Sequence, residues 1–101
     1  MICLGLMSTR FTWDAAKAES NGRKHGVSFE EALTVFGDPL ARIHDDPYHS
    51  EREHREIIVG HSIRGRLLLV SFTERRRVIR LISARGASSH EREDYEKGTR
   101  S

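Results

Sequence analysis

Val78-Ile-Arg-Leu-Ile-Ser-Ala-Arg85 is the stretch on which the fold turns. Its Val, Ile and Leu content, bounded by Arg75-Arg76-Arg77 and by Gly86, reads as a buried β-strand that carries two arginines folding does not require. Arginine cannot shed its proton to escape burial, so Arg80 and Arg85 must meet carboxylates, reach solvent, or face a groove for an anionic ligand. Five residues apart on a regular strand, they point to opposite faces; sharing one groove would need a bulge or a strand end between them.

Upstream, Arg55 to Ile63 and Arg66 to Thr73 read as further strands joined at Arg64-Gly65, and Leu40 to His44 as a short one. Together they predict an α+β fold built on a small antiparallel meander of about four strands. Phe11-Thr-Trp13 alternates like a brief strand, and Asp14 caps a helix from Ala15 to about His25 that Gly26 ends. Ala15, Ala18 and Gly22 offer a small face for close approach, while Lys17, Asn21 and Lys24 line another. Ser28 caps a second helix, with Glu31 placed to reach back to it and Phe29, Ala32, Leu33 and Phe36 on one face, until Gly37-Asp38-Pro39 stops it. Two helices on one face leave the other partly open. Ser88 to Glu91 repeats the capping pattern and starts a C-terminal helix to about Lys97, whose one large apolar side chain is Tyr95. With so little to bury, that helix is a candidate for displacement by a partner.

One domain is expected over residues 11–97, after a disordered extension over 1–10 with Met7 as an alternative start, and before a tail over 98–101. No apolar run approaches a membrane span, and the single Cys3 excludes an internal disulfide, which fits a cytoplasmic protein. The net charge of +2 conceals its distribution. Residues 1–51 carry five Lys and Arg against eight Asp and Glu, residues 52–85 nine against three, and residues 86–101 three against four. All nine cations of the middle segment are arginine, whose planar fork grips phosphate and stacks on bases. A nucleic-acid face and a solubilising arginine face both satisfy that bias.

His44, His49 and His54 recur every five residues, which matches neither a helix face nor a strand face, so no metal or other cofactor is expected. What remains is acid–base chemistry among arginines. RNA can be cut without metal or protein nucleophile, because its 2′-OH attacks the adjacent phosphate once a base takes the proton and cations hold the charge. His25 and Glu53 are the candidate acid or base, His25 favoured because imidazole ordinarily titrates nearest neutrality. Lys24, Arg55, Arg80 and Arg85 are candidate stabilisers, although Lys24-His25 also suits the negative end of a helix dipole. Arg80 could instead pair with Glu53.

Phe11-x-Trp-Asp-x-x-Lys17, Asn21-x-x-Lys-His-Gly-Val-x-Phe29, Ala32-x-x-Val-Phe-x-Asp-Pro39, Glu53-x-Arg55 with Gly60, and Ile79-Arg-Leu-Ile-Ser-Ala-Arg85 before Glu91 and Tyr95 resemble the BrnT family, toxins of type II toxin–antitoxin modules. Ala15 stands where that family often has proline. The resemblance implies a RelE-like ribonuclease toxin that arrests growth and works without metal. It also implies a BrnA-type ribbon-helix-helix antitoxin as partner, in a heterotetramer of two toxins and two antitoxins that represses its own operon. On matching positions, His25, Glu53, Arg85 and Lys24 are carried over as catalytic candidates, and Arg55, Arg80 and Tyr95 as RNA ligands. Arg64 and Arg66 join the ligands as members of the arginine segment. A binding module of the same fold, for nucleic acid or antitoxin and without catalysis, is the alternative.

Overall fold

A computed structural model describes residues 9–46 and 54–100. The elements run β1 (Arg10–Thr12), α1 (Ala15–His25), α2 (Phe29–Leu33) with a 3-10 turn over Thr34–Gly37, β2 (Arg42–Asp45), β3 (Arg55–His61), β4 (Leu67–Arg75), β5 (Val78–Gly86) and α3 (Ser89–Arg100). The sheet has five strands in the order β1-β5-β4-β3-β2. The meander from β2 to β5 is antiparallel as expected, but β1 adds a fifth strand, parallel to β5 through Arg10↔Val78, Phe11↔Ile79 and Thr12↔Arg80. Three residues carry no period that could announce a pairing partner. Aromatic packing decides it, with Phe11 edge-on to Phe36 at 5.2 Å and Trp13 edge-on to Phe29 at 5.8 Å.

The core lies between α1, α2 and one sheet face. Phe29, Ala32 and Val35 are buried there against Ile58, Leu68, Val70, Phe72, Leu81 and Ala84. The second helix is shorter than its sequence pattern: after Leu33 the chain tightens into the 3-10 turn, with the Thr34 hydroxyl donating to the Glu31 carbonyl at 2.6 Å. Gly60 is where the turn crosses the sheet, since a Cβ there would sit 2.8 Å from that of Ala41 and 3.1 Å from Val35 Cγ1.

Two further details depart from expectation. Asn21, assigned above to a lysine-bearing face, is the buried residue of α1. Its amide accepts from Ala84 N–H at 2.9 Å and donates to the Ala84 carbonyl at 2.8 Å and the Val27 carbonyl at 3.0 Å. It thus does for the edge of β5, beyond the end of β1, what a neighbouring strand would do. Glu31 does not reach back to its cap. Ser28 Oγ accepts from Glu31 N–H, but the carboxylate turns to Ser62 and Arg66.

On the opposite face, α3 covers one end of the sheet. Ser88 N–H donates to Glu91 Oε1 at 2.9 Å and Glu91 N–H to Ser88 Oγ at 3.2 Å, which is the capping box the sequence calls for. Tyr95 is buried with Val59 and Leu67, its hydroxyl donating to the Leu40 carbonyl at 3.0 Å, and the Arg42 guanidinium fills the space a side chain at Gly98 would need. The helix runs through Arg100, past the expected end at Lys97. No described helix is long and apolar enough to cross a membrane.

Candidate functional site

Residues paired across strands share a face. On the face away from α1 and α2, the register therefore gives three rows: Val59–Leu69–Arg85, Ile57–Ser71–Ser83 and Arg55–Thr73–Arg80. The pairing slips between Ser71 and Phe72, so Ile82 is an extra residue in β5. That bulge sends Leu81 and Ala84 to the core although they are three apart, and brings Arg80 and Arg85 to one face although they are five apart. The condition required for a shared groove is met.

Two clefts meet at the bulge. One is lined by Arg55, Ile57, Leu69, Ser71 and Arg85 with Asp46, the other by Lys17, Ser20, Asn21, Lys24 and His25, and both are walled by Ile82 and Ser83. At about 240 and 200 Å3, neither reaches the ~300–1,000 Å3 of a small-molecule pocket; both are open and adjoin across Ile82 and Ser83, which suits an extended chain. Lys24 and His25 reach this place because Asp14 caps α1, accepting from Ala16 and Lys17 N–H at 2.8 and 3.1 Å, and Gly26 in the left-handed conformation (φ 67°) ends it beside the bulge.

Of the arginines, Arg80 is exposed on the same face but lines neither cleft, and its side chain makes no hydrogen bond or ion pair among the described residues. Arg85 grips Glu91 through two bonds, Nη1 to Oε1 at 2.8 Å and Nη2 to Oε2 at 2.7 Å. The Arg85 guanidinium, together with the Ser88 N–H, holds the Glu91 carboxyl down at about 2.

Three candidates lie elsewhere. Arg66 is bound to Glu31, whose side chain is 5% exposed: Nε donates to Oε2 at 2.9 Å, Nη2 bonds Oε1, and Nη2 also donates to the Gly26 carbonyl at 3.1 Å. The Glu31 carboxyl is lowered to about 2, chiefly by that bond to Arg66, against the opposing effect of burial. Arg64 stands 3.7 Å from the same carboxylate. Neither lines a cleft at the bulge, and Arg66 in particular belongs to the fold. Tyr95 is buried against His61 and anchors α3, away from both clefts at the bulge. Glu53 and His49 lie outside the described residues, and with Glu53 any pairing to Arg80.

The sequence reading missed Ser83 and Ile82, the wall common to both clefts, and Ser71 beside them. The small polar Ser83 within an Ile/Leu strand was the available signal. It also missed a possible metal set. Asp45, His54 and Glu56 bring donor atoms within 4.8 Å of one another, with His54 Nε2 3.0 Å from Asp45 Oδ1. These residues would suit a divalent cation by donor type, although the Asp45–His54 bond accounts for their closeness without one. A further cavity, about 320 Å3, lies between α3 and the β2 side of the sheet, with Arg42 and His44 facing Glu91 and Asp94 across its wall.

Residues 13–91 match the model of the family described as the ribonuclease toxin BrnT of type II toxin–antitoxin systems. The chain belongs to the BrnT family. Among solved structures, it is similar to the Brucella abortus ribonuclease toxin BrnT, with a TM-score of 0.56 and 23% identity over 80% of this chain and 99% of that one. At that identity the likeness speaks to fold alone. No curated protein matches. The BrnT model ends at Glu91, so it takes in the bulge, Lys24, His25 and all the arginines of the groove.

Proposed function

We propose that this BrnT-family chain is an endoribonuclease that cuts RNA by acid–base catalysis without a metal, and that the joined clefts at the β5 bulge are its substrate groove. The bulge is the observation that carries the proposal. It gathers Arg55, Arg80 and Arg85 on one open face and makes Ile82 and Ser83 the seam to Lys24 and His25. In this reading His25 takes the proton of the attacking 2′-OH or delivers one to the leaving 5′-oxygen. Lys24, Arg55 and Arg80 hold the phosphate and the charge that grows on it. Arg85 joins them when the RNA phosphate competes with Glu91. Glu53, just before β3, is the alternative base. The products are a 2′,3′-cyclic phosphate and a 5′-hydroxyl, so atoms and protons balance without water or metal.

The sheet with two helices on one face supports a RelE-like reading of the fold. Type II membership calls for an antitoxin; we assign a BrnA-type ribbon-helix-helix protein, two copies with two toxins, acidic where it meets the arginine face, and place the complex in the cytoplasm, with operator DNA contacted only through the antitoxin. Two observations favour a second reading, a non-catalytic binding module. Arg85 is already committed to Glu91, and no described carboxylate orients His25.

Induced expression of the chain alone, beside a folded His25→Ala/Arg85→Ala variant, separates the two. Growth arrest with RNA cleavage by the parent only supports the nuclease. Intact growth and intact RNA with both, at equal soluble expression, support the module.

A further inference from the structure

The open face continues past the groove toward the β4–β5 turn. Arg75 pairs with Val78, and Val78 with Arg10, so Arg75 and Arg10 share the face of Arg55 and Arg80 one row further out, roughly 7 Å away. Glu74 is the sole acidic residue between Glu56 and Glu91. It pairs with Ile79, in the core, and so faces the other side.

The turn that follows is unusual in its residues. Arg76 and Arg77 form a two-residue loop between paired Arg75 and Val78, and both have positive φ, 52° and 66°. Such a loop favours Asn-Gly, because a Cβ in the left-handed region crowds the neighbouring carbonyl. Here both positions are arginine, exposed and outside the core, so packing does not account for the choice. The Arg77 carbonyl accepts from Arg10 N–H at 3.0 Å, which ties β1 to the turn and fixes its position against the groove face. Residues held in strained backbone at no gain to the core point to function.

We infer that Arg75-Arg76-Arg77, with Arg10, is a second phosphate-binding patch that holds the RNA strand where it leaves the groove. The inference rests on the RNA reading of the groove and extends it. Continuity of the arginine rows on one face favours a single polyanionic strand over a separate protein partner.

The test is binding of 2′-O-methyl RNA, which lacks the attacking hydroxyl, with strands of about 5 and about 20 nucleotides titrated over a range of salt. In Arg76→Asn/Arg77→Gly the turn receives the residues it prefers, so Tm rises by a few degrees while affinity for the long strand falls about tenfold. The slope of log K against log salt becomes shallower by about 1.4, two phosphate contacts at ~0.7 each, and the short strand binds as before. Arg10→Gln/Arg75→Gln, which leaves the turn intact, should give the same loss of slope. Unchanged long-strand affinity and slope in both variants overturns the patch; if Arg55→Gln/Arg80→Gln still weakens both strands, the groove stands. Parent protein that binds neither strand overturns the groove and the patch together. Unchanged RNA binding with lost neutralisation by the antitoxin gives the turn to a protein partner and overturns the inference.

Discussion

Arg66→Met keeps the aliphatic stem of the side chain and removes the guanidinium, which isolates one interaction. Glu31 is left nearly buried with Ser62, 2.7 Å from Oε2, and with Arg64 at 3.7 Å as its nearest cation. Lowering its carboxyl from 4.5 to about 2 corresponds to about 3 kcal/mol at 1.36 per unit, of which Arg66 supplies the largest share and the retained Ser62 and Arg64 a smaller one. Because the Arg66 side chain is 41% exposed, solvent screening brings the expected loss to about 2 kcal/mol, or roughly 10 °C in Tm for a domain of this size. The pH dependence follows from the sign. Glu31 has a lower pKa folded than unfolded, so its contribution is complete above about 4.5 and disappears as pH falls through about 2. Urea denaturation of parent and variant at pH 7 and near pH 2.5 checks this: the gap should be about 2 kcal/mol at pH 7 and should largely close at the lower pH. A gap of equal size at both pH values, or one below ~0.5 kcal/mol at pH 7, would refute the assignment of Arg66 to the fold. Below the variant's melting range, RNA binding should match the parent, which distinguishes Arg66 from the groove arginines.

Asn21→Ala leaves the N–H and C=O of Ala84 without their buried partner and should cost about 2–4 kcal/mol in chemical denaturation. Because that amide holds α1 against the bulge, cleavage should fall further than stability explains. Tyr95→Phe, losing the single bond to the Leu40 carbonyl, should cost about 1 kcal/mol, whereas Tyr95→Ala should cost about 3 and raise amide exchange selectively over 89–97. Glu91→Gln frees Arg85 from a partly exposed pair, so it should raise RNA affinity a few-fold while costing under ~1 kcal/mol of stability, read by titration and by thermal melting.

The strand from Val78, both N-terminal helix caps and the C-terminal capping box were legible in the sequence, because each is written in neighbours within a few residues. The parallel partner of β1 was not, since Phe11 and Trp13 are placed by Phe36 and Phe29, far along the chain. Two arginines five apart call for a bulge or a strand end, but nothing in Ile-Ser-Ala decides between them or fixes which residue is extra; that depends on Ser71 and Phe72 across the ladder. Arg66 and Arg80 look alike in sequence, yet one neutralises a buried glutamate and the other stands open. Only the position of Glu31 in space separates them.

The most direct test of the central claim is end-group analysis of RNA incubated with the purified chain in excess chelator, beside His25→Ala. The account predicts fragments ending in 2′,3′-cyclic phosphate and beginning with 5′-hydroxyl, formed by the parent and lost in the variant. Fragments with 5′-phosphate, or cleavage that requires a divalent metal, would contradict it and turn attention to Asp45, His54 and Glu56.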